Sequence, residues 1–236
     1  MEKSTDPTKR AKRIRLIVFT ALMTAMTTAL TLASVPYPTG AGYYNFGDIP
    51  IFMSACLLGP ISGLITGALG AMLGDVILGY TMYAPFTLII KALEGVIAGL
   101  LFKVVAKFIK KQIPQAVLYC LGCIVGGAVM ALGYFLAEGV LLSEDSWTGG
   151  LLNLPFNFLQ GTISAVVATV LLYACQVKRL FEKIYNRSPR GAIVESATEQ
   201  DGATTTEAEN QTQNDEASQD NSQENNSFEN KDDLHF

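Results

Sequence analysis

Residues 42–101, GYYNFGDIPIFMSACLLGPISGLITGALGAMLGDVILGYTMYAPFTLIIKALEGVIAGLL, decide the fold, because the stretch is apolar almost throughout and its only charged side chains are Asp48, Asp75, Lys91 and Glu94. Ile49 to Leu58 is a short apolar run, Gly59-Pro60 breaks it, and Ile61 to Leu78 follows. That order predicts two antiparallel helices meeting at a tight turn, the first too short to cross a bilayer, since a crossing takes about 20 residues. Gly79 to Ala84 reads as a brief loop, and Pro85 as the first residue of a helix running to about Lys107.

The pattern continues on both sides. Leu16 to Ser34 is long enough to span and has no small-residue cleavage site after it, so it is expected to stay as a helix rather than leave as a signal peptide. Pro36 and Pro38 end it. Pro114 opens another helix to about Leu142, and Leu151 to Gln176 supplies the sixth. The expected fold is therefore an all-α membrane protein with six transmembrane helices over residues 16–178. Composition agrees: of 236 residues 50% are hydrophobic and 16% charged, against roughly 25% charged in soluble proteins. One water-soluble core of this size could not hide so much apolar surface, which excludes an ordinary cytosolic enzyme.

Charge placement predicts the orientation. Six Lys or Arg precede Leu16, Lys103, Lys107, Lys110 and Lys111 form a second group, and five more lie from Lys178 to Arg190, while the segments 36–47, 79–84 and 139–150 carry none. Because Lys and Arg near helix ends stay cytoplasmic, residues 1–15 are expected as a basic cytoplasmic N-terminus and 179–190 as a basic juxtamembrane segment, with both termini inside. Residues 191–236 hold twelve acids and one Lys among Gln, Asn, Ser and Thr. Such a segment cannot bury enough surface to fold and is expected to be a disordered acidic cytoplasmic tail.

Ionisable groups within spans cost roughly 2.5–3.5 kcal/mol each near the bilayer centre, so their positions carry information. They are Asp75, Lys91, Glu94 and Glu138. Lys91 and Glu94, three apart, share a helix face and can pair; a purely structural ion pair is one reading of them. The same half of the membrane holds Asn153, Asn157 and Gln160 at i, i+4 and i+7, one polar stripe. Tyr43, Tyr44, Phe46, Tyr80, Tyr83, Trp147 and Phe156 crowd its loops; an interfacial aromatic belt explains several, and a pocket for a small, planar, water-soluble molecule opening outward explains the combination. The inner halves are expected to hold almost no polar groups. Glycines 63, 67, 70 and 74 and the stripe Ala21, Ala25, Ala29 permit close helix packing.

The four cysteines, Cys56, Cys120, Cys123 and Cys175, lie in apolar segments, and the only His is His235, so neither a disulfide framework nor a zinc site is expected. No P-loop, HExxH or G-x-S-x-G occurs. Catalytic residues and catalytic cofactors are not expected, and any energy for transport must come from elsewhere.

Residues 42–101 resemble the core of the substrate-binding S components of energy-coupling factor (ECF) transporters, in the riboflavin-type group, and the resemblance extends more loosely over 14–180. It is carried by N-x-G-D-x-P at Asn45 to Pro50, the L-L-G-P turn, Gly74-Asp75, and APFTLIIK-x-LEG at Ala84 to Gly95. The resemblance implies a multi-pass plasma-membrane protein of a prokaryote that captures a water-soluble vitamin or precursor, such as riboflavin, pyridoxine or a thiamine precursor. It also implies delivery inward together with a transmembrane T component, met by Ala21, Ala25 and Ala29, and two cytoplasmic ATPase subunits. The expected binding set is Tyr44, Asn45, Asp48, Asp75, Tyr83, Lys91, Glu94, Asn153, Asn157 and Gln160. The alternatives are a membrane scaffold or assembly protein without a small-molecule ligand and, more weakly, a lipid transferase, which should show an acidic metal-binding cluster where this chain has mainly Lys and Arg.

Overall fold

The computed structural model describes residues 7–37, 42–141 and 146–185. These belong to one compact unit, Met1–Asn186; the second, Arg187–Phe236, and with it the tail expected over 191–236, lies outside the described residues. Among the described residues seven α-helices occur: α1 Pro7–Leu32, α2 Asp48–Leu57, α3 Pro60–Leu78, α4 Ala84–Phe108, α5 Gln112–Leu141, α6 Ser146–Thr169 and α7 Val177–Tyr185. A π-helical turn, Val170–Ala174, prolongs α6. All six expected helices are present, and α7 is additional. Leftover helix at the start of α1 has a simple cause: residues 7–15 are mostly Lys, Arg and Ala, good helix formers with no breaker after Pro7. α7 restarts the helix beyond Gln176, whose φ of 56° turns the chain, and buries Phe181 against the ring of Phe19, 4.9 Å between centroids.

Among the described residues four helices are long and apolar enough to cross a membrane: Lys9–Leu32, Pro60–Leu78, Ile113–Gly139 and Trp147–Ala174. α4 has the length but carries Lys91, Glu94, Lys103 and Lys107. α2, with 10 residues, is about 15 Å long at 1.5 Å per residue, half the hydrocarbon thickness. It is buried from Asp48 to Cys56, packed among α1, α3, α4 and α6. Gly59, at φ 100°, makes the reversal into α3 that an L side chain would strain, and Gly79, at φ 87°, closes α3 as a left-handed cap with its N–H on the carbonyls of Asp75 and Val76.

The α3 glycines serve three neighbours, with Gly63 against Ala55 of α2. A Cβ at Gly67 would collide with the carbonyl oxygen of Lys91 on α4, whereas one at Gly70 would stand 2.6 Å from Cβ of Thr27 on α1. Ala21, Ala25 and Ala29 turn the other way and are exposed, while Thr20, Met23, Thr27 and Thr31 are buried. Hydroxyl pairs, Thr20 with Ser62 at 3.0 Å and Ser54 with Thr66 at 2.9 Å, link helices in the half nearer the Lys-rich end, so that half holds more polar groups than the sequence predicts. The main apolar core lies there too, around Phe52, Phe102, Tyr119, Cys123 and Leu172. At the opposite end the segment after α1, expected as plain loop, forms a short antiparallel pairing of β1 Val35–Pro36 with β2 Tyr43–Tyr44, in the register Val35 to Tyr44 and Pro36 to Tyr43.

Candidate ligand-binding site

At the end away from Lys103 to Lys111, a polar network crosses the bundle. Asp48 stands in the first turn of α2, where the helix dipole favours an anion, and ion-pairs with Lys91 of α4. The Lys91 ammonium lies 2.9 Å from Glu94 Oε2, a charge contact rather than an aligned hydrogen bond. All three side chains are buried. Gln160 Nε2 donates to Asp48 Oδ2 at 3.0 Å, and Gln160 Oε1 accepts the N–H of Asn45 at 3.1 Å. Asn45 Oδ1 in turn accepts the N–H of Gly47 at 2.8 Å, fixing the turn that leads into α2. The chain α4–α2–α6–loop is therefore one connected set.

Tyrosines close the site from the loop side. Tyr37 donates to Asn157 Oδ1 at 2.9 Å and stacks on Phe156, with centroids 5.3 Å apart and planes at 28°. Tyr44 packs edge-on against Tyr37, 4.6 Å away. The Tyr43 hydroxyl donates to Asp75 Oδ1, and its ring lies 5.1 Å from that of Tyr80. Deeper in, Tyr134 donates to Thr87 Oγ1 at 3.1 Å, and Asn153 Nδ2 lies 3.3 Å from each Glu138 carboxylate oxygen. Burial raises the phenol pKa of Tyr37, Tyr43 and Tyr83, with the Asp75 charge adding to the effect on Tyr43, so these hydroxyls remain donors at neutral pH.

Between these walls lies a cleft of about 440 Å³ counted to its open mouth, of which about 50 Å³ is interior void. Of the expected binding residues, Asn45, Asp75, Tyr83, Asn157 and Gln160 line it. Tyr44, Asp48, Lys91, Glu94 and Asn153 do not: Tyr44 packs on Tyr37, Asp48 accepts from Gln160 and pairs with Lys91, Glu94 lies against Lys91, and Asn153 stands beside Glu138. Tyr37, Thr87 and Tyr134 also line the cleft without having been singled out from the sequence, and Tyr43, Tyr80 and Glu138, noted there only as loop aromatics or an intramembrane charge, join them. A helical signal existed for some: Thr87 precedes Lys91 by four residues and Tyr134 precedes Glu138 by four, so each shares a face with a charge already noted. Tyr37, in a Pro-flanked loop, had none. Among the described residues no group of three or more His, Cys, Asp or Glu is placed to hold a metal, and the four cysteines are free thiols.

The family model for the ECF-type riboflavin transporter, S component, matches residues 11–177. The chain belongs to that family. It is thus a transporter S component rather than an enzyme. An uncharacterised protein of Pyrococcus woesei is 37% identical over 143 residues, 61% of this chain and 88% of that one. The thiamine precursor transporter HmpT of Lactococcus lactis is 28% identical over 162 residues, covering 68% and 87%. The riboflavin transporter FmnP of Bacillus subtilis is 22% identical over 176 residues, covering 67% and 90%. The crystal structure of a biotin S component from an ECF-type transporter aligns with a TM-score of 0.46 and 19% identity over 71% of this chain and 94% of that one.

Outside the cleft, α1 and α3 form an apolar groove walled by Leu16, Ala21, Ala25, Ile61, Ile65 and Leu69. Two of the three stripe alanines thus line a surface groove.

Proposed function

We infer that this S component captures a water-soluble vitamin or vitamin precursor at the outer face of the membrane and delivers it inward with a transmembrane T component and two ATPase subunits. The observation that carries the reading is the cleft: amides, carboxylates and tyrosines converge at the end of the bundle away from Lys103, Lys107, Lys110 and Lys111. Asn45, Asp75, Tyr83, Asn157 and Gln160 contact the ligand along with Tyr37, Tyr43, Thr87, Tyr134 and Glu138. Asp48, Lys91, Glu94, Asn153 and Tyr44 position them. The interior void, about 50 Å³, is smaller than the ~150 Å³ cavity that accepts a benzene, so lining side chains such as Tyr37 and Tyr43 shift when ligand enters. The exposed alanine stripe on α1 is the T-component contact, because small residues let a foreign helix approach closely. All six long or buried helices, α1 to α6, form the membrane domain, with both termini inside as the lysine distribution requires.

Calorimetry on the purified full chain tests this. A vitamin-like compound from a broad panel binds without ATP or partner subunits, since the cleft belongs to this chain alone. If none binds, the capture reading falls, and a scaffold whose buried charges only neutralise one another takes its place.

A further inference from the structure

At the end of the bundle opposite the cleft, a second cavity opens between the start of α5, the π-helical turn and α7. Gln115, Leu172, Tyr173, Lys178, Arg179 and Glu182 line it, and it measures about 430 Å³ to its mouth, of which about 160 Å³ is interior void. Lys178 sets its chemistry. This half-buried ammonium donates to Gln115 Oε1 at 3.0 Å and stands 5.2 Å from the ring centroids of both Phe102 and Tyr173. Such contacts hold a cation in place without neutralising it. Gln115 is itself fixed, because its Nε2 donates to the Ile109 carbonyl at 3.2 Å and its backbone N–H to that of Lys111 at 3.1 Å.

An ammonium has three N–H donors. Among the described residues Gln115 is the hydrogen-bond partner of this one, and no carboxylate forms an ion pair with it; Glu182, one turn along α7, is exposed. A second cation joins the wall at Arg179, whose Nη1 lies 3.4 Å from Gln176 Oε1. Both cations come from α7, past residue 177 where the family domain ends, and vitamin capture at the other end has no use for them. We propose that this cavity binds a phosphate group. The void exceeds the ~30 Å³ share of one water several-fold, several oxygens on one centre can accept from Lys178 and Arg179 together, and the planar guanidinium matches phosphate geometry. Two sources carry that chemistry at the Lys-rich end, the phosphodiester of a lipid headgroup and a free phosphate, and the group recognised is the same in both.

Calorimetry on the purified full chain in detergent tests this with three probes: dihexanoyl phosphatidylglycerol, dihexanoylglycerol, which lacks the phosphate, and inorganic phosphate. At least one phosphate probe is expected to bind about tenfold or more tightly than dihexanoylglycerol. Binding of phosphatidylglycerol alone makes a lipid headgroup the source, and binding of inorganic phosphate alone makes it a free phosphate; binding of both assigns the site to the group whatever carries it. Lys178→Gln and Arg179→Gln should each weaken that binding about tenfold, the scale of one charge-assisted contact, while Lys183→Gln, exposed on the same helix and outside the cavity, should change it less than about twofold. The proposal is overturned if neither phosphate probe binds the native chain, if dihexanoylglycerol binds as tightly, if Lys178→Gln and Arg179→Gln leave binding unchanged, or if Lys183→Gln weakens it as much, which would reduce the effect to diffuse surface charge. The probe comparison uses the native chain, so it decides even where Lys178→Gln fails to fold.

Discussion

Lys91 shows what a single residue can reveal from sequence and what it cannot. Its intramembrane position and its i+3 spacing to Glu94 were readable, because both follow from one helix. Its stronger partner was not: Asp48 is 43 residues away, and only the insertion of α2 into the bundle brings the two together. With one cation between two buried carboxylates, removing Lys91 leaves two uncompensated acids. Lys91→Met should therefore cost ~3–5 kcal/mol of stability, the range for breaking a buried pair. The triple change Asp48→Asn, Lys91→Met, Glu94→Gln should cost clearly less, because no charge remains unpaired. Thermal unfolding in detergent compares them, and equal losses would show that packing rather than charge governs the site. Tyr43 gives a pH prediction. Its folded-state pKa is raised by burial and by Asp75, so its contribution is complete below the ordinary phenol range near 10 and is lost as pH rises from there toward the folded value. Binding should stay flat between pH 7 and 9 through this group, and tyrosinate absorbance in native chain should exceed that of Tyr43→Phe only at higher pH.

Among the helices, the small-residue stripes separate two meanings that share one spacing. Glycines 63, 67, 70 and 74 and alanines 21, 25 and 29 all recur at helical intervals, which is why both were visible in the sequence. Direction was not visible, because periodicity says which residues share a face and nothing about what that face meets. The structure turns the glycines inward and the alanines outward. Gly67→Ala should accordingly destabilise the fold by ~1–3 kcal/mol through overpacking against the Lys91 carbonyl. Ala25→Trp should leave stability and ligand binding near native, since it alters an exposed position away from the cleft, yet abolish uptake in cells by holding a partner helix off. Loss of binding in Ala25→Trp, or normal uptake, would remove the docking role from the stripe.

On the scale of the whole molecule, the cleft and the clustered Lys and Arg residues occupy opposite ends. The lysines of 103–111 and the basic residues of α1 and α7 lie at the end where α4 finishes, whereas the cleft forms where α1, α3 and α5 finish and α2, α4 and α6 begin. This polarity was legible because it needs only the order of helices and the positions of Lys and Arg; the cleft's shape was not, because it depends on how far α2 sinks between its neighbours. If Lys and Arg hold their end in the cytoplasm, the cleft faces outward and meets the vitamin before any energy is spent. The orientation can be measured in a chain freed of its four cysteines, carrying either Met82→Cys, in the α3–α4 loop at a position 71% exposed, or Lys110→Cys, between α4 and α5. A membrane-impermeant maleimide added to intact cells should label Met82→Cys and leave Lys110→Cys untouched until the membrane is permeabilised. The reverse pattern would place the cleft inside, where an importer's capture site has no substrate to collect, and the capture reading would then have to give way even if a vitamin bound in solution.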